Sequence, residues 1–245
     1  LSAQAAMAID LPSGVALYEK DPNKLLLPAS TTKIVTALVA MDYYSPAEIL
    51  RVPNIKSEGQ RMRLVFGELI SADSLLKGLL ISSANDAGEV LASEYPGGRD
   101  AFINAMNAKA RKLSLDNTEF KNPTGLEAVG HISTARDLIK VSEIAMDIPY
   151  FAEIVGTKET KVTSIDGNIE HTLSNINELL GSVDGVAGVK TGWTENAREN
   201  LVTYIERNER RIMIALLGSQ DRFGETKELI DWIFTNYSWQ EVSYP

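Results

Sequence analysis

The stretch Leu25–Met41, LLLPASTTKIVTALVAM, sets Ser30 three residues ahead of Lys33 at the mouth of an apolar run. On a helix, residues three apart share a face, with Cβ atoms about 5–6 Å apart, so hydroxyl and amine can touch. A serine hydroxyl is a weak nucleophile until an adjacent base takes its proton. An ordinary lysine, with a pKa of about 10.4, is protonated at neutral pH and cannot be that base. Burial and nearby positive charge both lower the value; Ile34, Val35 and Leu38 can supply an apolar wall. The start of a helix also offers unpaired N–H groups where negative charge develops on a substrate oxygen. Serine acylation is the chemistry this spacing allows.

The spacing alone is weak, because Ser74-Leu-Leu-Lys77 shares it and reads as a serine and lysine on the surface of an amphipathic helix. Two further motifs add weight. Ser83-Ala84-Asn85 falls where a helical pattern breaks, so its side chains can project from a short loop. Lys190-Thr191-Gly192 closes an apparent strand, where Gly192 would let a substrate backbone approach closely.

Elements must bring these three pieces together. AQAAMAID and GVALYEK read as a hairpin around LPSG, and a helix is expected from Ser30 to about Met41. SADSLLKGLLISSANDAGEVLASEY reads as two helices broken near Ser82–Asn85, the first capped by Ser71. GRDAFINAMNAKARKLSL is amphipathic, with Phe102, Ile103, Met106, Ala110 and Leu113 inward, and STARDLIKVSEIAM is a further helix capped by Ser133 or Thr134. From Lys158 the texture turns to β. TKVTSIDGNIEHTLS is a hairpin turning at Asp166-Gly167; VAGVKTGWT, NLVTYIER and RRIMIALLGS are successive strands; ETKELIDWIFTNY is a closing helix. Strands at both ends with helices between predict an α+β fold: one antiparallel sheet built from both termini, packed with helices, and an inserted helical lobe over roughly 42–150. One domain over 1–236 is expected, followed by a tail over 237–245.

Composition narrows the function. The 245 residues are 44% apolar and 23% charged, with a net charge of −9, which disfavours nucleic acid and anionic membrane surfaces as partners. There is no cysteine, so thiolate nucleophiles, disulfides and Cys-based zinc sites are excluded, and an extracytoplasmic bacterial protein is consistent with that lack. His131 and His171 lack metal-ligand spacing and read as ordinary polar or core residues. No apolar run reaches the roughly 18 residues that would span a bilayer. The chain opens with Leu and no basic segment, which reads as a mature or trimmed form.

S-x-x-K, S-x-N and K-T-G in this order resemble the signature of the penicillin-binding proteins and class A β-lactamases. The chain resembles in particular the serine D-alanyl-D-alanine carboxypeptidases. LPASTTKIVTAL, GELISADSLLKGLLISSANDAGEVLA, FKNPTGLEAVGHISTARDL, NELLGSVDGVAGVKTGWT and LLGSQDRFGETKELIDWIF all look like that family's blocks. The resemblance implies acyl transfer without metal or cofactor: Ser30 the nucleophile, Lys33 its base, Ser83 a proton relay to the leaving amine. It implies that Asn85 holds Lys33 and the substrate amide, that Lys190 supplies positive field, and that Thr191 binds the substrate carboxylate. The N–H groups of Ser30 and of Trp193, just past Gly192, would form an oxyanion hole. Arg222 is either a second carboxylate ligand or an exposed arginine at a helix start.

Three departures stand out. Trp193 and Thr124 occupy positions where relatives often carry His, and many relatives continue into a β-rich domain and a membrane-binding helix beyond the point where this chain stops, so it is a cut chain or a single-domain member. The implied partners are peptidoglycan stem peptides ending in D-Ala-D-Ala, with β-lactams as covalent inhibitors, and membrane anchoring through absent segments only. The implied location is outside the cytoplasmic membrane. Three alternatives remain: a class A-like β-lactamase, for which Glu170 is a poorly placed candidate base; a D,D-endopeptidase; and a non-catalytic peptidoglycan-binding module.

Overall fold

The computed structural model describes residues 1–240, so residues 241–245 of the expected tail lie outside the described part. Strands β1 (Ala5–Asp10) and β2 (Val15–Lys20) form the expected N-terminal hairpin. Short strands β3 (Ile49–Arg51) and β4 (Leu69–Ser71) pair with each other, as do β5 (Glu159–Thr163) and β6 (Glu170–Ser174). The last three strands are β7 (Val186–Thr194), β8 (Arg198–Arg207) and β9 (Arg210–Ser219). The main sheet runs β2-β1-β9-β8-β7, with every neighbouring pair antiparallel. Both ends of the chain therefore build one sheet, as expected from the sequence, while the β5–β6 hairpin stands apart from it.

The period-2 pattern of β9 explains why it is central. Ile212, Ile214 and Leu216 face one apolar layer and Met213, Ala215 and Leu217 the other. The first layer is closed by α7 (Arg222–Asn236) through Leu229, Ile230 and Ile233. The second layer receives α1 (Lys33–Tyr43) and α5 (Ala135–Met146) and continues without a break into the remaining helices. These are α2 (Ala72–Leu80), α3 (Asn85–Ser93), α4 (Gly98–Lys112) and α6 (Pro149–Gly156). Every residue of α1 from Lys33 to Ala40 is buried, so this helix is enclosed on all sides by its neighbours. Among the described residues, no helix is long and apolar enough to cross one.

Three local features differ from the sequence-based expectation. The helix expected from Ser30 begins at Lys33, and Ser30 lies in a 3-10 turn, Ala29–Thr32, in which the Thr31 hydroxyl donates to the Pro28 carbonyl at 2.7 Å. Helix α7 begins at Arg222 because Asp221 caps it, accepting from the Gly224 N–H at 2.9 Å. Helix α6 was not anticipated, although Pro149 at its first position is a recognisable start signal. The caps of α2 and α5 are Ser71 and Thr134, which accept from Ser74 and Asp137 respectively.

Candidate active site

Ser30 and Lys33 meet at the junction of the 3-10 turn and α1, with Lys33 Nζ 2.8 Å from Ser30 Oγ. Lys33 is wholly buried, at 0% exposure, and its Nζ also donates to the Thr124 carbonyl at 2.6 Å. Burial first, and the Lys190 ammonium second, hold its pKa well below the usual lysine value, against an opposing pull from Glu89 and Asp86. A neutral amine keeps two N–H donors, one of which goes to Thr124, and a lone pair that can accept the proton of the Ser30 hydroxyl. The Ser74/Lys77 pair shows the contrast. There Lys77 donates to Asp73 at 2.9 Å and the Ser74 hydroxyl is bonded to Ser71, so lysine and serine each have a partner other than one another. Ser74 is also buried rather than at the surface as expected.

The backbone around Ser30 is held in an uncommon shape. Ala29 has φ 48° and Ser83 φ 58°, a region that costs a residue bearing a Cβ about 1–3 kcal/mol. Two glycines permit other segments to close on the turn. A Cβ on Gly125 (φ 87°) would lie 1.9 Å from the Ala29 carbonyl oxygen, and one on Gly192 would lie 3.0 Å from the Ser30 nitrogen. Strand β7 thus runs directly against the turn that carries the serine.

From that strand, Lys190 Nζ donates to Ser83 Oγ at 2.9 Å and to the Thr191 carbonyl at 3.0 Å. Lys190 is buried, and burial followed by the charge of Arg222 lowers its pKa to about 7. Asn85 opens α3 but does not touch Lys33 as anticipated: its Nδ2 donates to the Glu58 carbonyl at 2.7 Å, and its buried Oδ1 has no partner. The reason is the segment Glu58–Gln60, which lies across Asn85; the Gln60 carbonyl also accepts the Asn85 N–H at 2.7 Å. Thr124 takes the lysine-holding place instead.

Ser30 opens on two adjoining cavities. One, of about 860 Å³, is lined by residues that include Glu58, Gln60, Asn85, Thr124 and Trp193. The other, of about 260 Å³, adds Ser83, Thr191, Gly192 and Arg222. Arg222 is therefore not a free helix-start arginine. Its Nη1 donates to the Gly192 carbonyl at 3.1 Å, and its buried Nε is unpartnered. Trp193 is 61% exposed, with its indole on the cleft wall. Glu170 is remote from this: it sits on β6, paired with Lys161. Among the described residues there is no cluster of three or more His, Cys, Asp or Glu that could hold a metal.

Residues 1–221 match the family described as D-alanyl-D-alanine carboxypeptidase. The chain belongs to that family. It is 31% identical to the D-alanyl-D-alanine carboxypeptidase DacF of Bacillus subtilis, a match that takes in 96% of this chain and 63% of that protein. It is 33% identical to the D-alanyl-D-alanine endopeptidase of Escherichia coli, covering 96% of this chain and 78% of the relative. The crystal structure of a Streptomyces DD-transpeptidase superposes with a TM-score of 0.89 at 28% identity, over 96% of this chain and 98% of that one.

Within this D-alanyl-D-alanine carboxypeptidase family member, two site residues have roles that the three motifs do not disclose. Thr124 acts through its carbonyl oxygen, which any residue possesses. Asn122 shapes the loop that presents it: its Oδ1 accepts from the N–H groups of Thr124 and Gly125 and from the Thr124 hydroxyl. An Asn two residues ahead of Thr-Gly is a turn signal, and it could have marked this loop.

Proposed function

We propose that the chain removes the terminal D-alanine from peptidoglycan stem peptides, by way of an acyl-enzyme on Ser30, outside the cytoplasmic membrane where those peptides lie. The observation that carries this reading is a fully buried lysine amine 2.8 Å from a serine hydroxyl that faces a cleft. Neutral Lys33 takes the hydroxyl proton as Ser30 Oγ attacks the carbonyl between the two D-alanines. Charge on the carbonyl oxygen meets the N–H groups of Ser30 and Trp193, each such donor being typically worth about 2.7–4 kcal/mol. Ser83, held by Lys190, passes a proton to the departing amine. The substrate carboxylate lies toward Lys190, Thr191 and Arg222, and its amide N–H meets the unpartnered Asn85 Oδ1. Water then hydrolyses the ester. β-Lactams, with a carboxylate and a reactive amide carbonyl, acylate the same serine.

The similarity to an endopeptidase of Escherichia coli supports a second reading of the same chemistry, with a cross-linked peptide as the acyl donor. The class A β-lactamase reading lacks support, because Glu170 is paired with Lys161 on a separate hairpin. Incubation with a peptide ending in D-Ala-D-Ala tests the proposal. Release of free D-alanine is expected, with a penicillin adduct on Ser30 by mass spectrometry. Neither product would leave a binding module, and sustained nitrocefin turnover would favour the β-lactamase.

A further inference from the structure

His171 is buried on β6, outside all three motifs, yet both ring nitrogens are engaged. Nδ1 lies 2.8 Å from the Met62 carbonyl oxygen and Nε2 2.7 Å from Glu68 Oε1. A carbonyl only accepts, so Nδ1 carries a proton; a second proton lies between Nε2 and the carboxyl. Glu68 is likewise buried, and its Oε2 accepts the Val65 N–H at 3.0 Å. A buried imidazole–carboxyl pair holds one end of the segment 62–68.

The other side of that segment is tied to α3. Asp86 Oδ1 accepts the Met62 N–H at 3.0 Å, and Oδ2 accepts those of Arg63 and Leu64 at 2.8 and 3.1 Å. Met62 is thus gripped from both faces, its carbonyl by His171 and its N–H by Asp86. Two and four residues before Met62, the chain presents the Gln60 and Glu58 carbonyls to the N–H and Nδ2 of Asn85 respectively. Those bonds fix the amide so that Oδ1 is the atom left over. Asp86 ties the strip to α3 and Val52 pairs with Gly67 and Glu68 at its far end, while His171 attaches Met62 to β6.

We propose that His171 and Glu68 are positioning residues for the substrate-amide acceptor Asn85, acting through the segment Glu58–Leu64. This rests on the proposed peptidase reading, in which Asn85 Oδ1 meets a substrate N–H. Loss of the pair frees the Met62 carbonyl, lets Glu58 and Gln60 drift, and allows the Asn85 amide to rotate. Recognition of that one N–H is lost, while Ser30, Lys33 and Lys190, held by other elements, keep their contacts.

The test compares kcat/KM for an acyl-D-Ala-D-Ala peptide and for its analogue N-methylated at the amide expected to meet Asn85. The parent should prefer the unmethylated substrate. His171→Leu and Glu68→Ala should each lower that preference about tenfold, mainly through KM, and His171→Gln should restore part of it by donating to Met62. Combined with Asn85→Ala, neither should lower it further. An unchanged preference in folded His171→Leu and Glu68→Ala, or effects that add to that of Asn85→Ala, would overturn the proposal. If His171→Leu does not fold, His171→Asn, which keeps a polar group but is too short to reach both partners, gives the same readout. Failure of the parent to release D-alanine from either substrate would strike the peptidase reading instead.

Discussion

The two buried lysines predict a pH profile that depends on the substrate's terminal charge. Lys190 has a pKa of about 7 in the free protein, lowered first by burial and then by Arg222. It is therefore about half charged at pH 7, about one-tenth charged at pH 8 and on the order of one-hundredth charged at pH 9. If its ammonium receives the substrate carboxylate, kcat/KM for a peptide ending in free D-alanine should fall roughly 50-fold between pH 7 and pH 9. Once bound, a carboxylate about 4 Å from the ammonium is worth about 4 kcal/mol at an effective dielectric of about 20. That raises the Lys190 pKa in the complex, because an adjacent opposite charge favours the ammonium form. The alkaline limb of kcat should therefore lie well above that of kcat/KM.

The assay is steady-state release of D-alanine, or of its methyl ester, from pH 5 to 10. Capping the terminal carboxylate removes the group that needs the charge, so the capped peptide should be a poorer substrate with no alkaline limb near 7. The acid limb reports Lys33, which must be neutral to act and which Lys190 helps to keep so. Lys190→Met removes that positive neighbour, so Lys33 should rise and the acid limb should move to higher pH. Identical alkaline limbs for free and capped peptides, or an unmoved acid limb in Lys190→Met, would refute this electrostatic account.

Three further outcomes are expected. Lys33→Ala should reduce acylation by penicillin by about 10²–10⁴-fold, the usual contribution of a general base, while circular dichroism shows a folded chain. Gly125→Ala places a Cβ 1.9 Å from the Ala29 oxygen at a positive φ, with backbone on both sides of the clash, so both Tm and the acylation rate should fall, the rate by at least tenfold. His131 is held neutral, with a pKa of about 4, by burial and then by Lys121 and Lys33. Its depressed folded value contributes stability that is complete above about pH 6.5 and is lost as pH falls through 4, about 3 kcal/mol in all. Urea midpoints should decline across that window, and should decline less in His131→Asn.

How far the fold could be read from the chain follows from what each signal physically encodes. The strands β7, β8 and β9 were legible because their apolar residues have two faces to fill, so the runs are long and bounded by turn residues such as Asn208-Glu209. Helix α6 was not, because its eight residues, PYFAEIVG, are too few for a 3.6-residue period to distinguish them from a loop. Strands β3 and β4 have three residues each and only one buried side chain apiece, below what alternation can signal. Lys33 was legible as a chemical anomaly, an amine inside an apolar run, but the start of its helix was not. The turn at Ala29–Thr32 depends on Gly125 and Gly192 closing over it from distant segments, and no local propensity records that.

The same distinction explains which site residues the motifs disclosed. Ser30, Lys33, Ser83 and Lys190 act through their own functional atoms, so residue type constrains them and a pattern survives in the sequence. Thr124, Glu58 and Gln60 act through carbonyl oxygens, which every residue carries, so these roles leave no mark on residue type. Asn85 lies between these classes. Its amide was identifiable, but its partner was misassigned to Lys33, since the backbone that occupies its Nδ2 comes from a segment with no repeating pattern. That misassignment has a consequence for mechanism. An Asn85 whose Oδ1 accepted from Lys33 would help set the base, whereas here Lys33 donates to Thr124 and Asn85 Oδ1 is left for the substrate. Asn85→Ala should accordingly impair recognition of the substrate amide and leave the acid limb of the pH profile in place; a shift of that limb would return Asn85 to the side of Lys33.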